Sequence, residues 1–178
     1  MERYYFFILF GYLSGSILFA RLLPKYLRHI DICELSEDNN PGVFNAFKHA
    51  GPVIGSMTLL LELAKGFLPV HVGLQLLDPR NTLFALVLAA PVFGHAFPLF
   101  RPKDGGKSIA VSFGCLLGLF PDLAPVCTLA AFYLLFSAVI IIEPHLVRSI
   151  VTYLCFSLMT FRYSAPRPVI LGALVISG

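Results

Sequence analysis

Apolar residues come in long runs along this chain, separated by short punctuated stretches, which is the pattern of a chain that folds in lipid rather than around a water-soluble core. Residues 4–23 carry no charge before Arg21, residues 82–100 carry none, and residues 122–142 have only their leading acid. Residues 52–77 are long enough to span a membrane but hold Glu62 and Lys65 in their middle. Residues 107–120, 144–161 and 166–178 form shorter, weaker runs. Proline and glycine stand where these runs should stop: Pro24, Asn40-Pro41-Gly42, Gly51-Pro52, Asp78-Pro79, Pro102, Gly105-Gly106, Pro121, Pro144 and Pro166. The pattern predicts an all-α, polytopic integral membrane helix bundle of five to seven transmembrane helices, in one domain over residues 1–178.

Composition agrees. Hydrophobic residues make up 57% of the 178 positions and charged ones 13%, against roughly 25% charged in ordinary soluble domains. The mean hydropathy is +0.81. No room is left for a soluble domain, and the hydrophilic chemistry is confined to two loops, at about residues 24–51 and 101–107. Seven alternating spans place Arg21, Lys25, Arg28, Lys48, Arg101, Lys103, Lys107 and Arg148 on one side, against Arg3, Arg80, Arg162 and Arg167 on the other. By the positive-inside rule both motif loops face the cytoplasm and the N-terminus lies outside. Residues 4–23 read as a first anchor rather than a cleaved signal, because no small-residue cleavage site precedes a mature domain.

Charge and cysteine narrow the classes further. The net charge of +3 sits on the side facing anionic lipid headgroups and anionic metabolites, and nothing points to nucleic acid. Cys33, Cys115, Cys127 and Cys155 show no metal-ligand spacing and read as small hydrophobes, so neither a metal nor a cofactor is expected. Protein partners are left open.

The candidate chemistry begins at Gly94-His95-Ala96-Phe97-Pro98 and continues through Arg101-Pro102-Lys103-Asp104-Gly105-Gly106-Lys107. A Gly-Gly pair lets backbone N–H groups approach an anion, Lys107 adds a point charge, and a helix starting there adds its positive end. A nucleotide-binding P-loop is excluded, since Arg101 stands where its first glycine belongs and an apolar span replaces its strand. His95 is an ionisable group within a span and hence a functional candidate, although a packed structural histidine fits equally. In the first loop, Asn40-Pro41-Gly42 and Asn45 offer amides and a turn, with Lys48 three residues on. Glu62 and Lys65, at i and i+3, fit a mutual structural pair.

Taken in order, these residues resemble the bacterial acyl-phosphate:glycerol-3-phosphate acyltransferases (PlsY). The likeness covers about residues 10–120. It rests on Ser14-Gly15-Ser16-Ile17, on Asn40-Pro41-Gly42 and Asn45 within a family stretch usually written GSGNPGATN, on Lys65-Gly66, on Gly94-His95 with Phe97-Pro98, and on Gly105-Gly106-Lys107. The resemblance implies a small inner-membrane protein of the bacterial cell that moves a fatty acyl group from acyl phosphate to glycerol 3-phosphate, giving lysophosphatidic acid and phosphate. Its partners would be membrane lipid and those two small substrates, and it needs no cofactor. Carried over by position, it implies that Lys107 with the Gly105 and Gly106 amides holds a phosphate. Asn40, Gly42 and Asn45 would shape the glycerol phosphate pocket, Lys48 would meet the second anion in place of the family's arginine, and His95 would orient a phosphate. Ser16 joins the substrate-binding set, although small residues on that span serve helix packing equally well.

The chain departs from the family pattern at Asp38, Phe44, Asp104 and Ser108, which stand for serine, threonine, lysine and glycine. Asp104 is expected to pair with Arg101 or Lys103. The family's basic C-terminal stretch is replaced by an apolar tail, with His145 and Arg148 as candidate stand-ins. A second class therefore accompanies the enzyme: a non-enzymatic membrane anion or lipid-phosphate carrier, or an inactive paralogue.

Overall fold

A computed structural model describes the chain except at residues 37, 38, 103, 163–165 and 178; of Ser177 it gives the backbone alone. Asp38 and Lys103, invoked above, lie outside the described residues. Those described are helical and irregular, with no strand. The helices are α1 (Glu2–Gly15), α2 (Phe19–Arg28), α3 (Ile32–Leu35), α4 (Val43–Ala50), α5 (Pro52–Leu76), α6 (Phe84–Ala96), α7 (Ile109–Leu117), α8 (Ala124–Leu134), α9 (His145–Thr160) and α10 (Arg167–Ser177). A π-helical turn, Leu135–Val139, extends α8.

Each apolar run in the sequence produces a helix, but not always one unbroken helix. The run expected as a first span, residues 4–23, is two: α1 and α2 meet at a bend of 41°. The bend leaves the Ile17 carbonyl and the Ala20 N–H outside the helical ladder, and α5 supplies partners for both. Lys65 Nζ donates to Ile17 O at 2.6 Å, and Ala20 N donates to Glu62 Oε1 at 3.1 Å. The two charges inside an apolar helix thus satisfy backbone groups that lipid could not. Pro24, expected to stop the first run, lies inside α2.

Length distinguishes the helices. With 25 residues α5 is about 37 Å long and crosses a hydrocarbon layer of about 30 Å unaided. The bent α1–α2 pair also reaches that length, whereas α6, Ala124–Val139, α9 and α10 are apolar but shorter. Against the expected five to seven spans, one or two helices among the described residues span by length and composition.

Two helix pairs pack backbone to backbone. A Cβ on Gly15 would collide with the Pro91 carbonyl, and one on Gly94 with the Tyr12 carbonyl, which locks α1 against α6. Gly66 and Gly114 do the same for α5 and α7, facing Val111 O and Leu63 O. Small residues at helix contacts are how bundles in lipid gain close van der Waals packing. Phe84, Val87, Leu88, Val111, Leu116 and Phe156 fill the centre. Exposed Phe6, Leu9, Leu60 and Leu68 face outward. Cys115 is buried as expected, but Cys127 is exposed on α8, an outward position that an apolar surround accepts.

Candidate functional site

Three helices begin at one cleft of about 660 Å³. Its walls include Gly42, Val43 and Asn45 from the start of α4, Ser108 to Ala110 from the start of α7, and Pro144 to Leu146 from the start of α9. No acid occupies the first turn of any of these helices, and their N-cap residues, Gly42, Ser108 and Pro144, make no side-chain capping bond. Uncapped N-termini present N–H groups and the positive end of the helix dipole. Lys48 and Lys107 line the same space. Leu59, Phe113, Val111 and Leu146 give the remainder an apolar wall.

The turn that carries the amides is braced from within. Asn45 is buried and donates from Nδ2 to Asn40 O at 2.9 Å, while Gly42 N donates to the same oxygen at 2.8 Å. Both asparagines and Gly42 line the cleft.

Beneath them lies a buried trio. Glu62, Lys65 and His95 are 1%, 4% and 5% exposed. Lys65 Nζ stands 2.7 Å from Glu62 Oε2 and 2.8 Å from His95 Nδ1, and His95 Nδ1 is 3.3 Å from Glu62 Oε2. The pairing of Glu62 with Lys65 was legible in the sequence; the third member, on α6, was not. Glu62 and His95 line the cleft.

The loop before α7 is built differently from the anion cradle that its glycines suggest. Gly106 N donates to His95 O at 3.2 Å, so this amide is given to the chain. A Cβ on Gly105 would collide with Ala96 O and one on Gly106 with His95 Nε2. The glycines let the loop press onto the end of α6, and neither lines the cleft. Ser16 is also outside it, because its hydroxyl donates to Tyr12 O at 2.8 Å and accepts from Leu99 N at 3.2 Å. Ser108 takes a left-handed φ of 55°, which explains a glycine in the family pattern; here the hydroxyl donates to Val92 O at 3.1 Å.

Asp104 is held by two arginines. It pairs with Arg101 as expected, and also with Arg21, which the sequence did not indicate. Arg21 in turn holds Asp31 at 2.9 Å. Burial raises the Asp31 pKa, but hydrogen bonds from Arg21 and the Cys33 N–H outweigh it and hold the carboxyl below its ordinary value.

A sequence description of the family "Glycerol-3-phosphate acyltransferase" matches residues 5–177. The chain belongs to the glycerol-3-phosphate acyltransferase family. A glycerol-3-phosphate acyltransferase of Myxococcus xanthus is 39% identical over 117 residues, covering 66% of this chain and 60% of that protein. One of Thermotoga petrophila is 39% identical, over 65% of this chain and 58% of that relative. The matched stretch thus spans about three fifths of these curated relatives. In fold, the chain is similar to crystal structures of PlsY (YgiH), an integral membrane glycerol 3-phosphate acyltransferase. The glycerol 3-phosphate form superposes with a TM-score of 0.83 at 25% identity, over 98% of this chain and 84% of that one. The lysophosphatidic acid form gives 0.82.

Within this acyltransferase family frame, the cleft gathers Asn40, Gly42, Asn45, Lys48, His95 and Lys107 of the predicted site residues. His145, one of the two stand-ins, also lines it, and Tyr133 joins it with its hydroxyl 3.4 Å from His145 Nε2. Arg148 is not among the lining residues. Tyr133 sits in an unbroken apolar run, where no neighbour in sequence marks it as a site residue.

Proposed function

We propose that the chain transfers a fatty acyl group from acyl phosphate to glycerol 3-phosphate, giving lysophosphatidic acid and inorganic phosphate, the first step of phospholipid synthesis. The observation that carries this reading is the two-natured cleft: three uncapped helix starts with Lys48 and Lys107, and an apolar wall of Leu59, Phe113 and Leu146. An anionic headgroup on a hydrocarbon chain needs both halves. The family membership and the related PlsY structures in glycerol 3-phosphate and lysophosphatidic acid forms support it.

In the reaction, a glycerol hydroxyl oxygen attacks the acyl carbonyl, a carbon–oxygen ester bond forms, the mixed anhydride bond to phosphate breaks with its electron pair on the departing phosphate, and the hydroxyl proton ends on that phosphate. Phosphate is a good leaving group, so the protein's part is positioning and charge stabilisation rather than covalent relay. Ser108, the hydroxyl beside Lys107, is committed to the Val92 carbonyl and does not serve as a nucleophile. Lys107 and Lys48 would meet the two anionic groups, with the braced Asn40–Asn45 turn shaping the glycerol phosphate end. Gly105, Gly106 and Ser16 support this site from behind. The same reading places a multi-pass protein in the bacterial inner membrane, with the loops at 24–51 and 101–107 in the cytoplasm and the N-terminus outside.

The carrier alternative drew on the missing C-terminal motif and on ionisable residues inside a span; the mutual pairing of Glu62 and Lys65 accounts for the second ground. The deciding experiment is phosphate release by detergent-purified protein given acyl phosphate and glycerol 3-phosphate, with lysophosphatidic acid identified as product. Lys107→Ala should lower kcat/KM roughly 10- to 100-fold, as loss of a charged hydrogen-bond donor does. No product from the unaltered protein, or an unchanged rate in Lys107→Ala, would overturn the proposal.

A further inference from the structure

Lys65 stands in the centre of the buried trio with three acceptors around one ammonium. Ile17 O lies at 2.6 Å, Glu62 Oε2 at 2.7 Å and His95 Nδ1 at 2.8 Å. An ammonium group has three N–H donors and no lone pair. Ile17 O and His95 Nδ1 are its hydrogen-bond partners and Glu62 Oε2 its ion-pair partner, so the nitrogen that faces it on His95 must be an unprotonated Nδ1. A proton on Nδ1 would set two donors face to face at 2.8 Å. The competing contact, from His95 Nδ1 to Glu62 Oε2, is 3.3 Å, beyond the usual range of an N–H···O hydrogen bond. Because a neutral imidazole carries one proton, it must sit on Nε2, the nitrogen that abuts Gly106, on a residue that lines the cleft.

We infer that Lys65 is a positioning residue that fixes His95 as its Nε2–H tautomer, so that His95 serves the cleft as a neutral hydrogen-bond donor and not as a base. The inference rests on the acyl-transfer reading only for what the donor is aimed at, an oxyanion or a phosphate oxygen. The tautomer itself belongs to the resting protein. Glu62 completes the arrangement: its charge offsets that of Lys65, and its other oxygen holds Ala20 N at the α1–α2 bend. This is the logic by which a group behind a histidine sets which ring nitrogen faces the substrate.

The test is a two-bond proton–nitrogen correlation spectrum of nitrogen-labelled histidine in the full chain, purified in detergent at neutral pH. The His95 signal is identified by its loss in His95→Gln. The proton is expected on Nε2, with an unprotonated Nδ1. A proton on Nδ1, or on both nitrogens, overturns the inference whether or not the protein turns over. In Lys65→Met, Glu62 becomes the neighbour of Nδ1 and the proton should move there; a folded variant that keeps the Nε2–H form also overturns it. Turnover adds a readout that does not depend on Lys65 variants folding. Glutamine places an N–H near the position of Nε2, so His95→Gln should retain at least about tenfold more kcat than His95→Ala, which loses roughly 100- to 1,000-fold as removal of an oxyanion donor does. Equal loss in both variants contradicts a donor role. An Nε2–H spectrum from a protein that makes no lysophosphatidic acid would sink the acyltransferase reading and leave the tautomer standing.

Discussion

The Asp104 carboxylate pairs with the Arg21 guanidinium across 83 positions of sequence, and through it the loop that leads to Lys107 is fastened to α2. The same guanidinium reaches Asp31, the N-cap of α3, and a second cation, Arg101, lies 3.3 Å from Asp104. The acid that replaces the family's lysine thus serves as a clasp between loop and helix.

Breaking that clasp should loosen the loop more than it destabilises the fold. Asp104→Ala is expected to cost up to about 1 kcal/mol, which is about 2–4 °C in melting temperature for a chain of this size. It should raise KM for the anionic substrates while changing kcat less. The exchanged pair, Arg21→Asp with Asp104→Arg, should recover part of the loss in a double-mutant cycle; no recovery would show that the two do not act together.

Asp31 gives the fold an acid-sensitive contact. Its pKa is held below the ordinary value of 3.8, so its stabilisation is fully present above that value and is lost as pH falls through the lower folded value. Thermal melts taken from pH 7 downward should show a decline at the acid end that is shallower in Asp31→Asn. Identical acid profiles would remove Asp31 from the account.

The two loop glycines should fail in different ways. A Cβ on Gly105 meets the backbone oxygen of Ala96, which cannot move aside, so Gly105→Ala should destabilise by about 1–3 kcal/mol. A Cβ on Gly106 meets the His95 ring, so Gly106→Ala should lower kcat more than melting temperature. Measuring both quantities on both variants separates the roles.

Ser108 sets two effects against each other. Its left-handed φ of 55° costs about 1–2 kcal/mol for a non-glycine residue, and its bond to Val92 O returns about 1 kcal/mol. Ser108→Gly removes both and should be nearly neutral, whereas Ser108→Ala keeps the strain and loses the bond. Alanine should be the less stable variant by chemical denaturation.

Much of this was legible before any coordinates. Proline and glycine positions delimited α5, α9 and α10 to within a residue or two, because those residues act locally on the backbone. The break between α1 and α2 escaped, since it depends on Glu62 and Lys65 arriving from another helix to take up Ile17 O and Ala20 N. For the same reason the i, i+3 pair was readable while its bond to His95, 30 residues away, was not. Asn40, Asn45, Lys48, His95 and Lys107 were found through ordered motifs and do meet at one cleft. Gly105, Gly106 and Ser16 stand outside the cleft lining, since a motif records that a residue type is needed and not whether ligand or neighbouring backbone needs it.

Three helix starts at one cleft also mean that, under the proposed acyl transfer, much of its attraction for anions would be written in peptide bonds. Such a field does not titrate, and no side-chain exchange erases it. A chain stripped of both lysines would still draw phosphate, weakly and at any pH where the fold survives.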